Sequence, residues 1–568
     1  MQFLKTIFNS RFWLPITLVL LVLLNIAATK WHTRIDFTNE KRFTLSAPVK
    51  KLLKNIDEDV QIDIFLKGEF PSAFKKLANS GSELLQEFKE IAGHKLKYRF
   101  VSPEEEVEAT SVKYADTLAA MGVEPINLKV QLKAGEQQQF VYPVALVHYK
   151  GKTMPVNLYS GNKIFISAAE LNSAEATMEY KFANAIYKLS QTQKPMIAYS
   201  IGNGEPTGYS TYDLVQNTLS KSYQLFTFNL KKQPLIPDTF KLLIIVKPAS
   251  AFTPEEKLAI DQFVMRGGKL LMFVDKLNAE MDSLQIKNQV IAYDRGLELN
   301  DLLFRYGVRI NSDLLMDLQC DILPFDVNGN GQYEWLQWNY FPVFQTKSNH
   351  SINKNIGFVA GRFVNSIDTV EAEGIAKTIL LSSSANARTI STPALISGAE
   401  NVNAPESNNY KKPDIPVAVL LEGKFESLYR NRLSQSMIDS LAVTGSVFQS
   451  RCLNDNKMIV VADGDIVLNA LKDNQPLPMG MNQFAYGTQK EFPFANKEFL
   501  MNCIEYLTDQ SGLQEAKAKD YTLRLLDTKK TEDERLYWQI INIMAPVILF
   551  LLLAVLYQWR RKRKYGKS

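Results

Sequence analysis

The sequence predicts an α/β protein carried between two transmembrane helices. Three observations point there. First, two uncharged apolar runs, Phe12–Thr29 and Leu536–Trp559, flank the bulk of the 568 residues. Each reaches the roughly 17–25 residues that a helix needs to cross a bilayer core. Second, between them short apolar runs of β type alternate with amphipathic helical ones, the pattern of a doubly wound parallel sheet. Third, the chain exceeds what one hydrophobic core holds, so two or three domains are expected.

Residues 1–34 read as a cytoplasmic tip followed by the first span, about 12–29. Trp13, Trp31, Tyr537, Trp538, Tyr557 and Trp559 lie near the edges of the two runs, where amphipathic rings prefer the interface. The alternative for the first run is a cleaved signal peptide. A second span and no clean small-x-small cleavage site favour an uncleaved anchor. Residues 560–568, RRKRKYGKS, hold six cations and no acid, and residues 1–11 add Lys5 and Arg11. The positive-inside rule then places both termini in the cytoplasm, the spans in the inner membrane and the bulk in the periplasm. Without those eight cations the rest of the chain has a net charge of −3. The basicity belongs to the anchors, which argues against nucleic-acid binding. Cys320, Cys452 and Cys503 are widely spaced. They allow one disulfide of unspecified pairing, or three small buried apolar side chains, which is the favoured reading.

Residues 37–191 read as one α/β domain. VQIDIFL from Val60 alternates apolar and polar residues, as a strand does. The following helix places Leu77, Leu84, Leu85 and Phe88 on one face, and KLKYRFVSP is the next strand. INLKVQL, FVYPVALVHYK and KTMPVNLY read as a β-meander, closed by a helix from Ser167 to Leu189. The strand-helix-strand opening suggests a thioredoxin-like arrangement. No CxxC is present, so a redox role is not expected.

Residues 194–512 read as a second α/β domain. PMIAYS is a strand leading into glycines, Tyr209–Ser220 a helix, and QLFTFNL a strand. KLLIIVKPA is continuously apolar, as in a strand buried on both faces. Thr253, Pro254 and Glu256 form a capping signature for the helix that Gly267 and Gly268 end. KLLMFVD, PVAVLLEG and KMIVVADGD are further strands, followed by the helix NKEFLMNCIEYLTDQ. A β-rich insertion, about 305–415, interrupts the sheet, and its polar part, 382–415, is expected as exposed loop. Residues 513–535 read as a stalk to the span at 536–559, with the basic tail at 560–568.

The candidate functional residues stand at strand ends. Gly202, Asn203, Gly204 and Glu205 begin a G-x-G-x-x-x-G run, one residue off the dinucleotide fingerprint. Pro206 removes a phosphate-facing N–H and Glu205 would repel an anion, so phosphate cradling is not expected. A glycine turn is the plain reading. A ligand or partner loop is the functional one, because α/β folds use the carboxyl ends of parallel strands for binding. Asp275, Asp463 and Asp465 also follow strands and with Glu205 could line one sheet edge. Clustered carboxylates can hold a hard cation, but Asp at a strand end more often caps the next turn, so no metal is assigned. Residues 326–337, DVNGNGQYEWLQ, imitate a calcium loop but carry Gln337 where the bidentate Glu belongs, and read as a hairpin turn. No G-x-S-x-G elbow exists, the four histidines are scattered, and neither catalytic residues nor a cofactor are assigned.

These stretches resemble a known family. IDFTNEKRFTLS, IFLKGEFPSAFKKL, SIGNGEPTG, TPEEKLAIDQFVMRGGKLLMFVD, WNYFPVF, MIVVADGDIVLN and NKEFLMNCIEYLTD, in this order, are similar to the auxiliary membrane component of gliding-motility ABC transporters of Bacteroidetes-type bacteria, the GldG family. The resemblance implies a class I glutamine-amidotransferase-like fold for the second domain. The corresponding strand ends here carry no Cys, so that activity is not carried over. It also implies an assembly role beside a polytopic permease and a cytoplasmic ATPase, with possible envelope partners. The family is often labelled substrate-binding. The leading expectation is a non-enzymatic auxiliary subunit. A periplasmic small-ligand-binding module and an envelope hydrolase are the alternatives.

Overall fold

The computed structural model describes residues 44–397, 409–433, 447–518 and 534–565 apart from short internal stretches, together with 18–23, 25 and scattered positions in 435–441. By contacts the chain divides into two compact units, residues 1–520 and 521–568.

In the first unit, helix α1 (Ala47–Lys54) precedes strand β1 (Val60–Ile64), helix α2 (Ser72–Ala92) and strand β2 (Leu96–Phe100). Strands β1 and β2 are parallel, from Val60↔Leu96 to Ile64↔Phe100. Leu77, Leu85 and Phe88 of α2 are buried, and Leu84 packs at their margin. The expected meander is divided in two. Strands β3 (Ile126–Leu132) and β4 (Gly135–Val141) pair only with each other. Strands β5 (Val144–Tyr149) and β6 (Lys152–Asn157) form a hairpin that joins β1, in the order β2-β1-β5-β6. Pro143 stands at the break, where it has no N–H to continue a ladder. Helix α3 (Ala168–Ser190) then covers the sheet. Its capping box is complete: Ser167 Oγ accepts from Glu170 N–H at 3.1 Å and Glu170 Oε2 accepts from Ser167 N–H at 2.9 Å.

The larger sheet starts with β7 (Met196–Ile201), β8 (Gln224–Asn229), β9 (Leu242–Val246) and, after helix α4 (Pro254–Met265), β10 (Lys269–Phe273). It is completed by β11 (Ile375–Ser382), β12 (Pro416–Gly423) and β13 (Asn456–Val461), then helix α5 (Asn496–Thr508). The spatial order is β11-β12-β13-β10-β9-β7-β8. Strands β8, β7, β9, β10 and β13 run parallel; β12 is antiparallel to β13, and β11, antiparallel to β12, returns to the common direction. Apolar residues on successive positions of β9 and β10 serve two cores. Leu243, Ile245, Leu270 and Met272 face Phe263 and Val264 of α4, and Leu242, Ile244, Leu271 and Phe273 share the other core with Phe499 and Ile504 of α5. Continuous hydrophobicity is what a strand covered on both faces needs.

Three local expectations are corrected. Residues 209–220 do not make one regular helix: a 3₁₀ turn at Gly208–Thr211 leads into a π-helix at Asp213–Leu219. The hydroxyls of Thr218 and Ser220 donate to carbonyls five residues back, at 2.8 and 2.7 Å, which matches that wider winding. Residues 375–382, inside the stretch read as insertion, are the edge strand of the main sheet. The polar part, read as exposed loop, holds strands at Ala387–Ser391 and Ala394–Ser397, with Ala387, Ile396 and Tyr410 buried; residues 398–408 lie outside the described residues. Ser and Thr interleave with the inward apolar residues there and mask the alternation. The aromatic run Glu334–Phe344 is a strand whose Trp338 packs among Tyr340, Phe341 and Phe363. It pairs with Cys320–Phe325 in the hairpin expected from the glycine-rich turn, where Asp326 accepts from the N–H groups of Asn330 and Gly331.

The second unit contains helix α6 (Arg535–Tyr565), of which Arg535–Arg563 is long and apolar enough to cross a membrane. Among the described residues it is the one such helix. Of the first expected span only residues 18–23 and 25 are described, as helix; the rest lies outside the described residues.

Candidate functional site

The parallel order β8-β7-β9-β10-β13 reverses direction between β7 and β9, and α/β sheets of this kind open a crevice at the carboxyl side of that reversal. Here the crevice is sewn shut. The Asn203 carbonyl, just after β7, accepts from the N–H groups of Ala249 and Ser250, just after β9, each at 2.8 Å. Its side-chain amide donates to Ala251 O at 3.2 Å and to Glu256 Oε2 at 3.1 Å. The carboxylate of Glu205 turns inward, accepting from Ser200 Oγ at 2.8 Å and Asn203 N–H at 2.7 Å. Gly204 has φ +81°, and a Cβ there would come within 2.9 Å of the Ala249 Cβ. Glycine is required by backbone conformation and close approach together.

Two strands along the same edge, Asp275, Asp463 and Asp465 do come together, with one oxygen of each within 4.8 Å of the others. Two of them, Asp275 and Asp465, face Lys247, the first residue after β9. Its Nζ lies 2.7 Å from Asp465 Oδ1, 2.9 Å from Glu280 Oε2 and 3.2 Å from Asp275 Oδ2. Arg295 pairs with the other oxygen of Glu280. Asp463 Oδ1 accepts from the Asp465 N–H at 2.7 Å and its Oδ2 from the Arg362 N–H at 2.8 Å, while Asp275 accepts from the Gly464 N–H. The lysine ammonium thus neutralises two of the three clustered carboxyls, and backbone N–H groups hold the third.

Charge and burial explain the proton affinities. Burial, opposed by Lys247 and reinforced by Asp465, pushes Asp275 up to about 6. Burial, with the Asp275 and Asp465 carboxylates beside it, drives Asp463 well above the usual carboxylate range. Burial alone would lower Lys247, but Asp465, Asp275 and Glu280 outweigh it and hold the ammonium strongly protonated. Lys247 adopts φ +45°, a left-handed conformation for a non-glycine residue. A Cβ on neighbouring Gly464 would come within 2.5 Å of the Lys247 Cβ. Strained backbone and a glycine contact thus seat the ammonium.

The free space is small. Beside Asp465, between Gly361, Arg362, Gly480 and Asn482, it amounts to about 20 Å³, room for about one water. A larger cleft of about 270 Å³ lies beyond Asp275, lined by Val274, Lys276, Leu297, Leu299 and Ile310. There Lys276 Nζ donates to Asn300 Oδ1 at 2.8 Å and to Ile310 O at 3.1 Å.

Two further polar constellations were not foreseen from the sequence. Thr153 Oγ1 lies 2.9 Å from His148 Nδ1, and His148 Nε2 lies 3.4 Å from Asp63 Oδ2, across three neighbouring strands. The row has the order of nucleophile, base and acid. Arg99, however, donates to both Asp63 oxygens, at 2.7 and 3.3 Å, and commits that carboxylate to an ion pair. The second constellation joins α3, α5 and residues 513–518. Glu505 accepts from Asn184 Nδ2 at 3.0 Å, from Lys188 Nζ at 2.7 Å and from the Tyr180 hydroxyl. Lys517 Nζ sits 3.9 Å from Glu505 and 4.0 Å from the Tyr180 ring centroid. Burial raises the Glu505 pKa, but Lys188 and Lys517 outweigh it and hold the carboxyl at about 2. Cys320, Cys452 and Cys503 are free thiols. Burial pushes Cys320 to about 12 and Cys452 to about 11, so neither supplies a thiolate nucleophile at neutral pH.

The comparisons with known proteins cover most of this body. A family profile described as an ABC-type uncharacterized transport system matches residues 194–503. A second, described as a domain of unknown function, matches residues 39–148. A Borreliella burgdorferi protein described as uncharacterized is 21% identical over 446 residues, which is 76% of this chain and 80% of that one. Among solved structures, the chain is similar to the mmIFT52 N-terminal domain at TM-score 0.30 and 13% identity, over 55% of this chain and 97% of that one. It is also similar to the exo-β-1,4-mannosidase Op5Man5 from Opitutaceae bacterium strain TAV5, at TM-score 0.18 and 10% identity, over 74% and 51% of the two chains. Structural likenesses this slight carry no argument about either fold or activity.

Proposed function

The chain belongs to the ABC-type uncharacterized transport system family, and from that membership we propose that it is a non-enzymatic auxiliary membrane subunit of an ABC transporter linked to gliding motility. In this reading α6 and the first apolar run, about 12–29, anchor the chain in the inner membrane, both termini lie in the cytoplasm, and the body projects into the periplasm. Its partners are a polytopic permease and, through it, a cytoplasmic ATPase. The strand-end residues Gly202, Asn203, Gly204, Glu205, Asp275, Asp463 and Asp465 hold the loops in fixed positions, which gives partner proteins a rigid edge.

One observation carries the reading. Lys247 supplies the cation for the acid cluster from within the fold, so the edge that most α/β proteins reserve for a ligand is occupied by the protein's own side chain. The resemblance of its strand-end stretches to the gliding-motility family supports the finer assignment. The test is affinity capture of the tagged full-length chain in mild detergent from its native membrane. A polytopic permease and an ATPase at fixed stoichiometry are expected. A chain recovered alone contradicts the proposal.

A further inference from the structure

Helix α6 carries a polar stripe inside its apolar span. Gln539, Asn542 and Pro546 stand three and then four residues apart, which puts them on one helical face. Asn542 lies four residues inside Trp538, about 6 Å deeper along the axis. If the Tyr537–Trp538 pair marks the interface, as such rings do, Asn542 is in hydrocarbon. Pro546 deepens the problem at that same residue. It has no N–H, so the Asn542 carbonyl, four residues earlier, loses its helical donor. One residue thus contributes both a side-chain amide and a carbonyl without its helical donor. No residue of the span is buried, and neither Gln539 nor Asn542 has a side-chain hydrogen-bond partner among the described residues. Lipid tails offer no donor or acceptor, so an amide and an orphaned carbonyl at this depth call for a polar partner from another helix.

We propose that the Gln539–Asn542–Pro546 face of α6 is the docking surface for a transmembrane helix of the transporter's polytopic subunit, one that presents a hydrogen-bonding side chain at the depth of Asn542. This rests on the auxiliary-subunit reading above. Between Trp538 and Tyr557 the other residues are Leu, Ile, Val, Phe, Met and Ala, all apolar, so the stripe sets both the rotation and the depth at which the two helices meet.

Site-directed photo-crosslinking of the full-length chain in its native membrane tests this. A photo-reactive residue replaces Leu549 or Leu553, on the stripe side, or Met544 or Leu551, on the opposite side. Adducts from 549 and 553 are expected on a membrane-spanning peptide of a polytopic protein, at least about 5-fold above those from 544 and 551. The double variant Gln539→Leu, Asn542→Leu should cut the 549 adduct about 3- to 20-fold, with unchanged membrane insertion, whereas Asn542→Gln should retain it. Equal adducts from both sides, adducts only to a second copy of this chain or to lipid, or a double variant that crosslinks like the parent would overturn the proposal. A chain that still holds a polytopic partner in mild detergent while its adducts ignore the stripe sinks the stripe alone. A chain that holds no such partner sinks both readings.

Discussion

Lys247 is the residue on which the strand-end edge turns. Removing it leaves Asp275, Asp463 and Asp465 to repel one another in a buried place. Lys247→Ala should lower unfolding stability by about 3–5 kcal/mol, read by denaturant titration. Millimolar Ca²⁺ should restore part of that loss in the variant and leave the parent's Tm unmoved, because only the variant leaves Asp275 and Asp465 without their cation. A parent protein stabilised by Ca²⁺ contradicts this. Glu505 gives a prediction with a sign. Its folded pKa, about 2, lies below the ordinary 4.5, so its contribution is complete above pH 4.5 and is lost as pH falls toward 2. Glu505→Gln should therefore cost about 3 kcal/mol at pH 7, with the gap from the parent narrowing below pH 4.5. A gap of constant size would show that packing and not charge holds the junction. Neither residue was legible as a functional group in the sequence. Lys247 reads as the end of an apolar strand, and its partner Asp465 is 218 residues away. Asp275 and Asp463 were legible as strand-end acids because each stands two residues past an apolar strand, and Asp465 because it is two residues beyond Asp463.

At the level of elements, local signals were honoured where local forces decide. Thr253 and Glu256 close a capping box as their spacing implies, and Glu256 also accepts from Asn203, which fastens the glycine loop to α4. The strands KLLIIV and KLLMF were legible because burial on both faces leaves no polar alternation. Elements set by nonlocal pairing were not. The break at Pro143, the π-winding after Gly208 and the edge strand at 375–382 each depend on partners that the local pattern does not name. The loop after β7 offers the element-scale test. Gly204→Ala places a Cβ against Ala249 in a left-handed conformation and should cost about 1–3 kcal/mol by thermal or denaturant unfolding. A neutral Gly204→Ala would mean that the β7 and β9 loops are free to part, reopening the crevice.

For the whole molecule, composition carried more than any motif. A basic tail beside an apolar helix predicts an orientation before any fold is known. The family relation adds the transport setting, and the closed strand-end edge inclines the body toward assembly over chemistry. That account requires the body and the basic tail to lie on opposite sides of one membrane. Labelling single cysteines with a membrane-impermeant maleimide measures this directly. The background is Cys320→Ser, since Cys452 and Cys503 are buried. In cells with a permeable outer envelope and an intact inner membrane, Gln332→Cys in the body should react at once, and Lys562→Cys in the tail only after lysis. A tail that reacts in intact cells while the body stays protected would contradict the account.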